Sequence, residues 1–300
     1  MSHDHSHDTG NYNRSFAIGV ILNVVFVAIE AGYGIVADSL ALIADAGHNA
    51  SDVVSLLLAW GGSVLAAKST TDKRTYGFRK ATIMASLVSA ILLLVALGGI
   101  AWEAIGRFQN PIPVDGITVI VVAAIGAVIN TLTALLFVKG QKHDLNLRGA
   151  FLHMAADAAV SLGVVVAGIF IMVYGLMWVD PVISLVIAVV IFFGTWGLLR
   201  ESTNYAIDAV PGGIDIQGIR AYLMSLDLVD RLHDLHVWPL STSEVALTVH
   251  LVVNGDSLDN NFLENLQQHL HDEYGIEHST IQIESSMGEN NCILDRPSCI

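Results

Sequence analysis

Charge is the first scarcity in this 300-residue chain: Asp, Glu, Lys and Arg make up 14% of it, against 53% hydrophobic residues. Mean hydropathy is +0.60. A soluble globular domain carries roughly 25% charged residues, so the composition excludes an ordinary water-soluble globule and points to a bilayer. Cysteine is nearly missing as well. Cys292 and Cys299 are the two present, which excludes a disulfide framework, so any soluble part must be stable without one, as in a reducing compartment. Six residues separate them, not the two of C-x-x-C, which argues against a closed zinc site built from this pair. The first fourteen residues, MSHDHSHDTGNYNR, lack an apolar core and a small-residue cleavage site, so they read as a tail and not a signal peptide. Neither H-E-x-x-H nor a nucleophile elbow occurs, which argues against an enzyme. Positive charge is scarce in the final third: residues 201–300 hold sixteen of the 28 acidic residues and three of the 14 basic ones. That balance disfavours nucleic acid and anionic lipid and suits cations, although a merely solubilising surface would look the same.

What is abundant is apolar sequence of membrane-crossing length. Stretches of about 20 residues, the length a helix needs to cross hydrocarbon, recur at 15–37, 40–66, 81–107, 115–138, 149–174 and 181–199. Ten basic residues (Arg14, Lys68, Lys73, Arg74, Arg79, Lys80, Lys139, Lys142, Arg148 and Arg200) flank one side of the six spans, and Arg107 alone marks the other. The positive-inside rule then puts both termini in the cytoplasm. Four segments follow: a His-rich tail over 1–13, a membrane domain over 14–202, a cytoplasmic domain over 203–289 and a Cys-containing tail over 290–300.

Beyond residue 203 the pattern changes to helix-like DIQGIRAYLMSL, two β-rich runs (RLHDLHVWPL and EVALTVHLVV), a second helix (FLENLQQHLHDEY) and a short strand (STIQIE). An α-β-β-α-β order predicts a small antiparallel sheet with helices on one face. Alternation puts Leu247, Val249 and Leu251 on the core side and His250 on the other.

Ionisable residues inside a span cost about 2.5–3.5 kcal/mol each at the helix centre, so they are where function is sought. The second span carries Asp45, His48 and Asp52, and the fifth carries His153 and Asp157. Both contain His-x-x-x-Asp, which places its two side chains one turn apart on one helix face. Two such pairs supply two imidazoles and two carboxylates, a complete tetrahedral set suited to Zn(II). Small neighbours such as Ala46, Gly47, Ala155 and Ala156 would let the helices approach closely. A structural ion network is the competing reading. Asp45 reads as a helix-end or supporting group outside the ligand set, and Glu30 and Asn130 read as packing or network residues.

The string SLALIADAGHNASDVVSL resembles the second-helix signature of the cation diffusion facilitator family. RTYGFRKATIMASLVSA resembles its loop into the third helix, and HDLHVWPL and STIQIE resemble its cytoplasmic domain. The likeness covers about residues 14–289. It implies a homodimer, each protomer with six membrane helices and a ferredoxin-like cytoplasmic domain, that exports Zn2+ from the cytoplasm in exchange for protons. The metal would sit at His48, Asp52, His153 and Asp157. His in the first position resembles the zinc and cadmium members. A broader exporter of zinc, cadmium and cobalt is the alternative, and a non-transporting membrane metal sensor is a third reading. An intramembrane metalloenzyme fits less well, because four protein ligands close the position a catalytic water needs. No prosthetic group is implied; Zn2+ is the transported substrate and a ligand of the cytoplasmic domain. Expelling a divalent cation against an inside-negative potential costs about 4.6 kcal/mol per 100 mV, and an inward proton returns half of that. Imidazoles must be neutral to ligate metal, so protonating His48 or His153 would expel the ion.

In the cytoplasmic domain the resemblance points to His233, His250, His278 and Glu284 as a second metal site. His236, next to Trp238, reads as structural. Some relatives have histidines between spans two and three; AKSTTDKRTYGFRK has none, so no site is expected there. Lys80 and Asp208 resemble a charge pair at the membrane–cytoplasm boundary. His3, His5 and His7 suit weak zinc capture or a disordered tail, and His143 reads as merely polar. Short loops and a compact tail suit a bacterial inner membrane.

Overall fold

A computed structural model describes residues 24–66, 68–137, 145–254 and 260–285. The termini lie outside this set, and with them His3, His5, His7, Cys292 and Cys299; so does His143. The chain order is α1 (Val24–Val36), then α2 (Leu40–Ala66), α3 (Ala81–Gln109), α4 (Gly116–Phe137), α5 (Leu145–Tyr174) and α6 (Val179–Ala206). After these come α7 (Ile216–Met224), β1 (Val229–Pro239), β2 (Val245–Val253), α8 (Asn260–Tyr274) and β3 (His278–Ser285). The chain is an integral membrane protein. Among the described residues, four helices are long and apolar enough to cross a bilayer: Ala81–Gln109, Gly116–Leu135, Met154–Tyr174 and Val179–Ala206. α2 has the length, at 27 residues, but carries Asp45, His48 and Asp52. Large apolar side chains face outward along the helices, among them Val95, Trp102 and Phe193, as hydrocarbon permits and water would penalise.

Two compact units emerge. One combines residues 1–57 with 89–197, and the other combines 58–88 with 198–300. In the first unit the core is small and close-packed, with Ala41, Leu42, Ala44, Val119, Ala123 and Val164 fully or nearly fully buried. Glycine makes the α4–α5 contact possible. A Cβ at Gly168 would lie 2.7 Å from Ile120 Cγ1 and 3.2 Å from the Gly116 carbonyl oxygen, so the two backbones meet where neither has a side chain.

α2 starts in an unusual way. Its first turn holds no acidic residue of its own; instead Asp180, at the start of α6, accepts hydrogen bonds from Leu40 N at 2.8 Å, Ala41 N at 3.3 Å and Ser39 Oγ. Arg107, from the end of α3, donates to the Asp38 carbonyl and lies 3.9 Å from Asp180. Ser39 Oγ in turn accepts from Leu42 N at 3.3 Å, so the orphan amides of α2 are capped by a local serine and by another helix's carboxylate together.

The second unit holds a three-stranded sheet in the order β1-β2-β3. β1 and β2 are antiparallel. β2 and β3 are parallel, which corrects the all-antiparallel expectation. The reason is topological: α8 is the crossover between β2 and β3, and a crossover returns the chain in the same direction. Ile219 and Leu223 of α7 and Leu266 and Leu270 of α8 bury against Leu247, Val249 and Leu251, the face that alternation assigned to the core. α7 is capped by Asp215, which accepts from Gly218 N at 2.9 Å. α8 ends on Gly275 at φ 66, a left-handed position that favours glycine.

Candidate metal sites

The membrane unit gathers the polar groups of α1, α2 and α5 in its interior. α2 carries His48 and Asp52 one turn apart, and α5 carries His153 and Asp157 in the same relation. His48 Nε2 lies 3.1 Å from Asp157 Oδ1, with Asp157 buried and His48 about one-fifth exposed. Side chains 109 residues apart in sequence therefore meet inside the apolar helices. The side chains of Asp52 and His153 lie outside the described set, so the structure shows one His–Asp contact of the expected quartet.

Beside this contact is a second polar group. Asp45 Oδ2 accepts from Ser161 Oγ at 2.8 Å, and Asn49 Nδ2 donates to Glu30 Oε2 at 3.2 Å. Glu30, Asp45, Asn49 and Ser161 are all buried. Asn130 is buried too, and its Nδ2 has no partner among the described residues.

The cytoplasmic sheet builds the other cluster on the face away from its helices. His233 and His250 are register partners across β1 and β2, and β3 lies on the other side of β2. Glu284 bridges them: its Oε2 is 3.2 Å from His233 Nε2 and its Oε1 is 2.8 Å from His250 Nδ1. One ligand atom from each lies within 4.8 Å of the others. A zinc ion with bonds of about 2.1 Å needs tetrahedral donors about 3.4 Å apart, so slight closure would seat one. The donor chemistry fits, and His233 Nδ1 is buried with no partner among the described residues.

His278 does not join the three. It opens β3, opposite Ala246, and its ring stands edge-on to Tyr76 at 5.6 Å. Six residues of extended strand separate it from Glu284, roughly 20 Å. The four-residue cytoplasmic site is thereby corrected to three.

Asp234 is what sequence reasoning missed. β1 bulges between His233 and His236, and Asp234 sits in the bulge at φ 51. Its carboxylate lies 2.9 Å from His236 Nε2 and 3.7 Å from His250 Nε2. It therefore holds the side of the His250 ring that does not face Glu284. The HDLH string was the available signal, but strict strand alternation puts Asp234 on the face opposite His233, and only the bulge brings it round. Lys80 Nζ donates to Asp208 Oδ1 at 2.6 Å, as the resemblance implied.

Comparison with known proteins adds the following. Residues 16–205 match the model of the cation efflux transmembrane domain, and residues 211–286 match that of the cation efflux protein cytoplasmic domain. A cadmium, cobalt and zinc/H(+)-K(+) antiporter of Bacillus velezensis is 32% identical over 300 residues, covering 98% of this chain and 96% of that protein. The metal cation efflux system protein CzcD of Cupriavidus metallidurans is 34% identical, covering 94% of this chain and 89% of its own. The zinc transporter ZitB of Escherichia coli is 33% identical, over 95% of this chain and 93% of that one.

Proposed function

This chain belongs to the cation efflux family, and on that premise we propose that it exports Zn2+ from the cytoplasm in exchange for protons. The ion is held by His48, Asp52, His153 and Asp157. The observation that carries the reading is the 3.1 Å approach of His48 Nε2 to Asp157 Oδ1 between α2 and α5 in the membrane unit. A buried carboxylate is costly in such surroundings unless it is paired or ligates a cation. Two imidazole nitrogens and two carboxylates match the borderline-soft character of Zn(II).

The two ions compete for one set of atoms. Zinc needs neutral imidazole nitrogens and ionised carboxylates, so a proton arriving from the outer side takes a lone pair that the metal requires. Export of Zn2+ is then driven by inward protons, each returning about 2.3 kcal/mol per 100 mV of inside-negative potential. The three-residue cluster of His233, His250 and Glu284 binds a further zinc in the cytoplasmic domain, and that domain pairs two copies into a homodimer. By the distribution of Lys and Arg both termini are cytoplasmic, in a bacterial inner membrane. Passage of cadmium and cobalt as well is the second reading, favoured by the name of the Bacillus velezensis relative.

The test is zinc uptake into inside-out vesicles containing a pH dye, for the wild type and Asp157→Ala. Loss of both zinc flux and proton release in the variant supports one coupled site. Zinc flux that survives without Asp157 sinks the assignment.

A further inference from the structure

α2 and α5 are joined by a second bond that the exchange just proposed does not use. Ser161 Oγ donates to Asp45 Oδ2 at 2.8 Å, and both residues are fully buried. On α5 Ser161 lies four residues after Asp157, and on α2 Asp45 lies three residues before His48. Those spacings put each on the same helix face as its neighbour, about 5 Å along the axis. The pairs run in opposite senses, 45 with 161 and 48 with 157, as antiparallel helices require. His48 to Asp157 at 3.1 Å and Asp45 to Ser161 at 2.8 Å are therefore two rungs between the same two helices. The second rung is costly to break, because a buried carboxyl oxygen that loses its donor finds no water to replace it. It fixes how far apart α2 and α5 stand, one turn from the proposed ligands. That distance decides which ion fits. A tetrahedral zinc with bonds of about 2.1 Å needs donors about 3.4 Å apart, close to the 3.1 Å between His48 Nε2 and Asp157 Oδ1. Cadmium carries the same charge on a larger ion and needs its donors further apart, so it must push the helices against the second rung.

We propose that Ser161, acting through Asp45, is a positioning residue that makes the quartet selective for the size of its ion. The bond between them holds α2 and α5 at a zinc spacing and opposes the wider one that cadmium needs. Both residues stand outside the four ligands. The charge of Asp45 acts on the two divalent ions alike, so it does not separate them; a fixed distance does. Ligand type is common to both ions as well, which leaves spacing as the discriminating quantity. Removing the bond therefore loosens the grip on zinc and costs cadmium less, because the larger ion no longer works against the rung.

The inference rests on the proposed zinc quartet, and the experiment keeps the two apart. Inside-out vesicles carrying the full-length protein are given zinc or cadmium, and KM and maximal rate are read for each ion. Ser161→Ala removes the hydroxyl and keeps the charge of Asp45, whereas Asp45→Ala removes the charge as well. Each is expected to raise the zinc KM by about 10-fold, the low end for a group that orients a metal ligand, and the cadmium KM by less. The preference for zinc over cadmium thus falls in both, and the double variant should fall no further. Asp45→Asn keeps an acceptor for Ser161 and should keep the wild-type preference. Asn49→Ala is the control for general loosening: it removes a buried bond from α2 to Glu30 on α1, which does not cross to α5, and should leave the preference alone. A preference unmoved in Ser161→Ala, or moved as far by Asn49→Ala, overturns the proposal. So does one moved as far by Asp45→Asn as by Asp45→Ala, since charge would then be the cause. Asp157→Ala tests the quartet itself: zinc flux that survives there sinks the quartet and this inference with it. Flux lost there, with an unmoved preference in Ser161→Ala, sinks the second rung alone.

Discussion

At the scale of single residues, Asp234 shows how a side chain outside the proposed ligand set of His233, His250 and Glu284 can orient one of its members. Its carboxylate faces the ring nitrogen of His250 that points away from Glu284, an arrangement that fixes tautomer and orientation for a ligating imidazole. Asp234→Ala is expected to weaken zinc binding at the cytoplasmic cluster by about 10- to 100-fold, read by competition with a chelating dye; unchanged affinity would mean the bulge serves only the chain's path. Asp234→Asn keeps a residue tolerant of positive φ and separates loss of charge from loss of backbone shape. The His-x-x-x-Asp pairs were legible in the sequence because helical spacing is rigid: four residues make one turn wherever the helix sits. His278 was misplaced for a related reason. Resemblance fixes a residue's order in the chain but not its distance along a strand, and six extended residues carry it far from Glu284. Glu30 and Asp45 could be seen as unusual, yet that Asn49 and Ser161 would be their partners is set by packing between helices, which spacing does not encode.

At the scale of elements, the α4–α5 contact depends on what is missing from Gly116 and Gly168. A side chain at position 168 would need space that Ile120 and the Gly116 carbonyl already occupy. Gly168→Val is therefore expected to push the helices apart or strain them, at a cost of about 1–3 kcal/mol. The measurement is the apparent unfolding temperature in detergent, with Gly163→Ala, where nothing lies within 4 Å of an added Cβ, as the comparison. Equal behaviour of the two variants would remove close helix approach as the cause. The spans could be placed from apolar length, and the αββαβ order from changes of periodicity. Strand direction was missed, although the helix read between the second and third strands already implied a parallel return. Alternation reads the same along parallel and antiparallel neighbours, and only the helix between β2 and β3 decides it.

At the scale of the whole molecule, two units with separate cores invite separate tests. The cytoplasmic cluster lies in the unit that contains the sheet, so zinc bound there stabilises that unit by mass action. At 100 times Kd the gain is about 2.7 kcal/mol. His250→Ala should abolish the zinc-dependent rise in that unit's unfolding temperature, followed by tryptophan fluorescence at Trp238 after the other tryptophans are replaced by Phe. A rise that survives His250→Ala would place the stabilising zinc elsewhere. Membrane and cytoplasmic parts could be told apart in sequence by charge alone. That residues 58–88 pack with the C-terminal unit was signalled only at Lys80 and Asp208, through the resemblance; the contact of Arg79 with Glu244 was not.

The cap on α2 has a consequence in time. The amides of Leu40 and Ala41 are closed by Asp180, 140 and 139 residues further on. At roughly 5–20 residues per second a ribosome needs on the order of 10 s to reach it. Until then the helix that carries His48 begins with the local cap of Ser39 on Leu42 N alone, and the amides of Leu40 and Ala41 lack their carboxylate. The last span to be synthesised is the one that completes the cap of the second, so a chain cut short before α6 holds all four proposed zinc ligands and still lacks the fastening at the start of the helix that carries two of them.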